Sequence, residues 1–87
     1  MPYYIAVYDI GSDRVAKALK LFRRYLTWIQ NSVFEGELTK AQAAELEAEA
    51  RALLEAGDSV ILFELRTTAY MERRVLGTEH GERGPIL

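Results

Sequence analysis

Asp9 closes a wholly apolar run, Tyr3-Tyr4-Ile5-Ala6-Val7-Tyr8, and is followed, after Ile10, by Gly11 and a basic, helix-patterned segment. A carboxylate where a strand gives way to a helix stands where α/β and α+β proteins set functional groups. It is a hard oxygen donor, and Mg²⁺ is content with one or two carboxylates plus substrate phosphates. An ion so held activates water and stabilises a leaving oxygen in phosphodiester cleavage. The plainer alternative is an acid that ends the strand and caps the turn or the next helix. One carboxylate per chain is a thin ligand set, and a dimer axis nearby brings a second. Asp13 is a further ligand candidate, or a first-turn acid offsetting the helix dipole. Tyr8 precedes Asp9 and points to the opposite face of the strand, as core with a polar tip. Arg14, Lys17, Lys20 and Arg24 are candidates for phosphate contacts, or a solvated helix face, and Arg73-Arg74 is similar. Phe34 and Trp28 can stack on bases, or simply pack. His80 reads as a tail residue.

Composition narrows the chemistry. The chain has 87 residues, enough for one domain and too few for two. It has no Cys and one His, which removes disulfides, thiolate sites and any multi-histidine metal site within one chain. Apolar residues make up 49%, so a packed core is expected rather than disorder. The longest apolar run is six residues, far below the roughly 20 needed to span a membrane. With no basic n-region at the start, a cytoplasmic protein is expected. The net charge of −2 conceals an uneven distribution. Residues 1–34 carry five basic and two acidic groups, and residues 35–58 carry two basic and seven acidic ones. The chain is not a polycation, so tight nonspecific nucleic-acid binding does not follow from composition. A basic face on the first third stands against an acidic second helix.

The elements that must position these groups follow from periodicity. Tyr3 to Tyr8 predicts a central strand covered on both faces. Ser12 is placed as the N-cap of a helix whose apolar face is Val15, Ala18, Leu19, Phe22 and Leu26. Trp28 to Leu38 predicts extended structure, broken into two pieces at Asn31-Ser32. Thr39 and Gln42 fit a capping box opening a helix that buries Ala43, Leu46, Ala50, Leu53 and Leu54, with Glu47 and Arg51 as an i,i+4 pair and Gly57 at C′. Val60 to Phe63 predicts a further strand, and Arg73 to Gly77 a short last one. The order is that of an α+β, ferredoxin-like βαββαβ sandwich with an extra short C-terminal strand, two helices on one face of an antiparallel sheet. One domain is expected over residues 1–78, with a tail over 79–87. The first strand is apolar on both sides, so the uncovered sheet face calls for a second copy of the chain.

Tyr8-Asp9-Ile10, a basic helix, and then Gln30-Asn31-Ser32-Val33-Phe34-Glu35-Gly36 resemble the CRISPR-associated protein-two family over about residues 3–65. That family comprises small metal-dependent nucleases that also serve as the small partner of the spacer-acquisition integrase. The resemblance implies a homodimer in which Asp9 of each copy faces its mate and holds Mg²⁺ or Mn²⁺. It implies activity on single-stranded RNA or double-stranded DNA, with Tyr8, Arg14 and Phe34 at positions associated with activity. It also implies an integrase subunit as partner, and a scaffold role that holds spacer DNA without using the nuclease site. Trp28 stands where the family often carries a basic residue, and the loop after Asp9 is short. A small-molecule-binding regulatory domain of the same fold is the remaining alternative.

Overall fold

The computed structural model describes residues 1–66 of the chain. The expected strand at Arg73 to Gly77, the boundary at residue 78, the tail 79–87 and His80 lie outside the described residues. The elements are β1 (Tyr3–Asp9), α1 (Val15–Arg23), β2 (Thr27–Gln30), β3 (Val33–Glu37), α2 (Lys40–Leu53) and β4 (Ser59–Leu65). The four strands form one sheet in the order β2-β3-β1-β4, with every neighbouring pair antiparallel. This is the expected α+β, ferredoxin-like arrangement, with β1 central.

β1 divides its side chains strictly by parity. Tyr4, Ala6 and Tyr8 are buried beneath the helices, whereas Tyr3, Ile5 and Val7 are half-buried and Asp9 is exposed on the other side. The layer under the helices is closed by Phe22, Phe34, Leu38 and Leu46, all essentially inaccessible. Each such side chain contributes about 1.5–3 kcal/mol on leaving water. Tyr8, Phe22 and Phe34 form a tilted aromatic trio with centroids 5.2 to 5.7 Å apart, a geometry that ring quadrupoles favour. The opposite face has no helix over it. There Val7 pairs with Ile61 and Ile5 with Phe63, and Ile61 and Phe63 are each 52% exposed.

The break at Asn31-Ser32 is a hairpin turn: Asn31 takes φ +44°, a left-handed conformation that asparagine tolerates, and the β2–β3 register slips between Trp28 and Gln30. Thr39 and Gln42 form the expected capping box, each backbone amide bonded to the other side chain at 2.9 and 3.0 Å. Glu47 and Arg51 form the expected pair at 3.8 Å.

Three local readings change. The N-cap of α1 is Arg14, not Ser12, and no side chain caps it. Residues 11–14 close a turn in which the Arg14 amide donates to the Gly11 carbonyl at 2.9 Å, so the helix starts later and leaves Val15 at 40% exposure. Gly57 is not C′, because α2 ends at Leu53 with Leu54 extended. Gly57 instead supplies φ +91° to a turn closed by the Asp58 amide donating to the Glu55 carbonyl at 2.9 Å. Leu53 and Leu54 are half-buried rather than buried, because they sit where α2 ends and the chain turns extended.

Candidate active site

Antiparallel pairing sets Asp9 opposite Ser59 at one end of β1 and β4. Asp9 belongs to the same side of the strand as Ile5 and Val7, so its carboxylate stands at the rim of the uncovered sheet face. It accepts no side-chain hydrogen bond and joins no ion pair among the described residues. It therefore caps neither the turn nor α1. Beside it lies a shallow depression of about 320 Å³ lined by Tyr8, Asp9, Ile10, Val15, Asn31 and Ser32.

The other three expected site residues stand differently. Tyr8 and Phe34 are core, with Phe34 wholly buried, and burial pushes the Tyr8 hydroxyl above its ordinary value of 10.0. Phe34 underlies the strand that carries Asp9, whereas Tyr8, though buried, also lines the depression beside it. Arg14 lies one turn beyond Asp9, inside a ring of acids. Its Nε and Nη2 donate to the Asp58 carboxylate at 3.0, 2.7 and 2.6 Å. Its Nη1 donates to Asp13 at 2.9 and 3.0 Å and to Glu55 at 3.0 Å. Asp13 is thus engaged with Arg14 rather than with Asp9. The two departures from the family pattern also find their places. The Trp28 ring lies 5.9 Å from the Arg23 guanidinium, and its Nε1 donates to the Asn31 carbonyl at 2.9 Å. The short loop after Asp9 is tied down by the Gly11 amide, which donates to Asp58 at 3.0 Å.

Asp58 is the residue that the sequence pattern did not single out. Its partners lie 44 to 47 residues away in the chain, apart from Glu55, so no helical or strand period marks it. Only the Gly57-Asp58 turn signature was available. The Glu55 amide first, then the Arg14 and Gly11 donors, hold the Asp58 carboxyl below its ordinary value of 3.8 against the opposing effect of burial. On the other side of α1, Glu49 accepts from the Tyr25 hydroxyl at 2.7 Å and from Arg24. The Tyr25 bond first, and then Arg24, lower Glu49 from 4.5.

Both acids have a folded pKa below the unfolded one. Their contribution is present above the unfolded values and is lost as pH falls through the folded ones. The unfolding temperature is expected to drop on acidification below about pH 4.5, and Asp58→Asn is expected to flatten that drop. Melts followed by circular dichroism from about pH 6 to 3 check this; parallel profiles for the two proteins contradict it.

No group of three or more His, Cys, Asp or Glu side chains is gathered to hold a metal among the described residues. A chelate within one copy is therefore not built there. A single free carboxylate at the rim of an open apolar face fits a cation shared between two copies. Among the described residues no helix is long and apolar enough to cross a membrane.

A βαββαβ sandwich with an unengaged acid at the end of its central strand defines a small ferredoxin-like protein whose uncovered sheet face adjoins its candidate site. Comparison with known proteins narrows this. The family described as CRISPR associated protein Cas2 matches residues 1–73, and the chain belongs to that family. It is 48% identical over 86 residues to "CRISPR-associated endoribonuclease Cas2" of Dictyoglomus turgidum, covering 98% of this chain and 99% of the relative. It is 44% identical to the protein of the same description from Thermotoga maritima, covering 97% and 98%. A solved structure described as "Crystal structure of cas2" superposes with a TM-score of 0.83 at 41% identity, covering 90% of this chain and 88% of that one. The family assignment sets aside the small-molecule regulatory reading.

Proposed function

We propose that this chain is a homodimeric, metal-dependent endonuclease of CRISPR spacer acquisition, acting in the cytoplasm on single-stranded RNA, with duplex DNA as the second substrate to test. One observation carries the reading. Asp9, free of any partner among the described residues, sits at the rim of the apolar face that Ile5, Val7, Ile61 and Phe63 leave open. Covering that face with a second copy brings two Asp9 carboxylates to one interface. The curated relatives' description as endoribonucleases supports the substrate class.

In this reading Asp9 of each copy would hold Mg²⁺ or Mn²⁺. Such an ion, when bound, supplies Lewis-acid stabilisation of charge on the phosphodiester oxygens. Tyr8 and Phe34 form the aromatic floor that keeps β1 and its terminal carboxylate in place. Arg14 is fixed at the mouth of the loop that follows. The acids around Arg14 leave this end of the molecule negative, so a cation held by Asp9 would offset repulsion of an incoming phosphate.

Uncleaved single-stranded RNA and duplex DNA are incubated with the purified protein in Mg²⁺, in Mn²⁺, or in EDTA. RNA cleavage that stops in EDTA and returns when Mg²⁺ is restored is expected. Cleavage indifferent to EDTA removes the metal from the reading.

A second reading rests on the exposed Lys17, Lys20 and Arg23 of α1, a basic face away from Asp9. There the dimer is a DNA-binding scaffold between integrase subunits. It predicts DNA-dependent assembly with an integrase subunit that survives Asp9→Ala.

A further inference from the structure

The Asp58 carboxylate is enclosed, with its side chain 4% exposed. Every neighbour in bonding reach is a donor. The amides of Gly11 and Glu55 donate at 3.0 Å each, and Arg14 adds three bonds of 2.6 to 3.0 Å. The three anchors come from separate places: the loop after Asp9, the start of α1, and the turn after α2. Ser59, the next residue, is paired with Asp9 itself. Asp58 therefore ties together the two chain segments that flank the candidate ligand, one on each neighbouring strand.

Arg14 is consumed by this arrangement. Its side chain is 14% exposed, and all three of its guanidinium nitrogens donate to carboxylates. With Asp13, Glu55 and Asp58 around one guanidinium, the cluster is negative. A phosphate would have to displace bidentate carboxylate bonds in a repelling field to reach it, and charge-assisted forks of this kind are the strong ones. Gly11 is shaped to the same end. A Cβ there would stand 2.7 Å from Arg14 Nη2 and 3.1 Å from Asp13 Oδ1, so the guanidinium lies directly over a glycine.

We infer that Asp58 is a positioning residue, and that Arg14 acts through it: together they clasp the loop after Asp9 onto the start of β4 and so hold the Asp9 carboxylate in place. The inference rests on the reading of Asp9 given above. Partners that orient a ligand typically alter activity 10–100-fold when removed.

Three variants separate this role from a direct phosphate contact. Gly11→Ala deletes no charged or bonding group, but its Cβ displaces Arg14 Nη2, the end of the guanidinium that bonds Asp58. Asp58→Asn sets an NH₂ group against donors. Arg14→Gln removes the fork. Steady-state cleavage of single-stranded RNA in Mg²⁺ is measured for each, with wild type and Asp9→Ala alongside. RNA affinity is measured in EDTA over a series of salt concentrations.

The clasp predicts a kcat about tenfold lower or more for Gly11→Ala and Asp58→Asn, with KM within about twofold. It also predicts an unchanged salt slope of RNA affinity for Arg14→Gln. If Asp58→Asn does not fold, Gly11→Ala carries the kinetic arm. A salt slope shallower by about 0.7 in Arg14→Gln, the loss of one phosphate contact, overturns the inference. So do wild-type kcat values in both other variants. Asp9→Ala cutting as fast as wild type would instead bring down the reading of Asp9 on which the clasp depends.

Discussion

Asp9→Ala is expected to lower RNA cleavage by about a thousandfold or more while leaving fold and assembly intact. The two halves of this result have separate causes. The carboxylate has no bonding partner among the described residues and is exposed, so nothing in the core or the sheet depends on it. Substitution at such a position ordinarily changes stability by no more than about 0.5 kcal/mol. The same freedom is what a ligand needs, because an acid committed to a cap or an ion pair has its lone pairs spent. In a symmetric pair one substitution deletes the carboxylate from both copies, leaving no acid at the shared position. First-order cleavage rates in Mg²⁺, with mass and melting temperature of the same preparation, check the prediction. A mutant that cuts at the wild-type rate removes Asp9 from the site. A mutant that neither cuts nor keeps the wild-type melting temperature shows that Asp9 holds structure instead.

How much of this was visible beforehand depended on how local the cause was. The strand Tyr3 to Tyr8, the break at Asn31-Ser32 and the Thr39–Gln42 capping box each arise from residues within a few positions of one another, and each formed as expected. The parity of β1 followed from the strand period, and it correctly set Tyr8 against Asp9. Two of the failures lie around one set of bonds. Ser12 is a good cap by type, and Gly57 a good C′ residue. Both were displaced because Asp58 reaches across 44 to 47 residues to bond Arg14 and Gly11. That bond set delays α1 and shapes the turn before β4. A charge that looks solvated in a helix-first reading, Arg14, is thereby enclosed. Pairwise contacts between distant loops leave no period in the sequence, which is why the clasp emerged only with the fold.

In the proposed dimer, Phe63→Glu is expected to leave the chain monomeric and to take cleavage with it. Phe63 and Ile61 lie beside Ile5 and Val7 on adjacent rungs of the β1–β4 ladder, and the pair on β4 remain 52% exposed each. An apolar patch of this kind on an otherwise charged molecule marks a surface meant for covering. Withdrawing a phenylalanine from water contributes about 1.5–3 kcal/mol, and setting an unpaired carboxylate in its place adds a further cost. A dissociation constant raised by about a hundredfold or more is the expected sum, since each 1.4 kcal/mol is a factor of ten. The fold itself should survive, because Phe63 faces away from the layer formed by Phe22, Phe34, Leu38 and Leu46. Ala44→Glu, on the exposed side of α2, adds the same charge elsewhere and should change neither mass nor rate. Sedimentation of the three proteins over a range of concentrations, with cleavage read on the same samples, decides the matter. Loss of cleavage in step with loss of the dimer means that one carboxylate is not enough and that the site exists only between two copies. A monomeric Phe63→Glu that still cuts places a complete site within a single chain. An unchanged dimer moves the interface away from this face and separates it from Asp9.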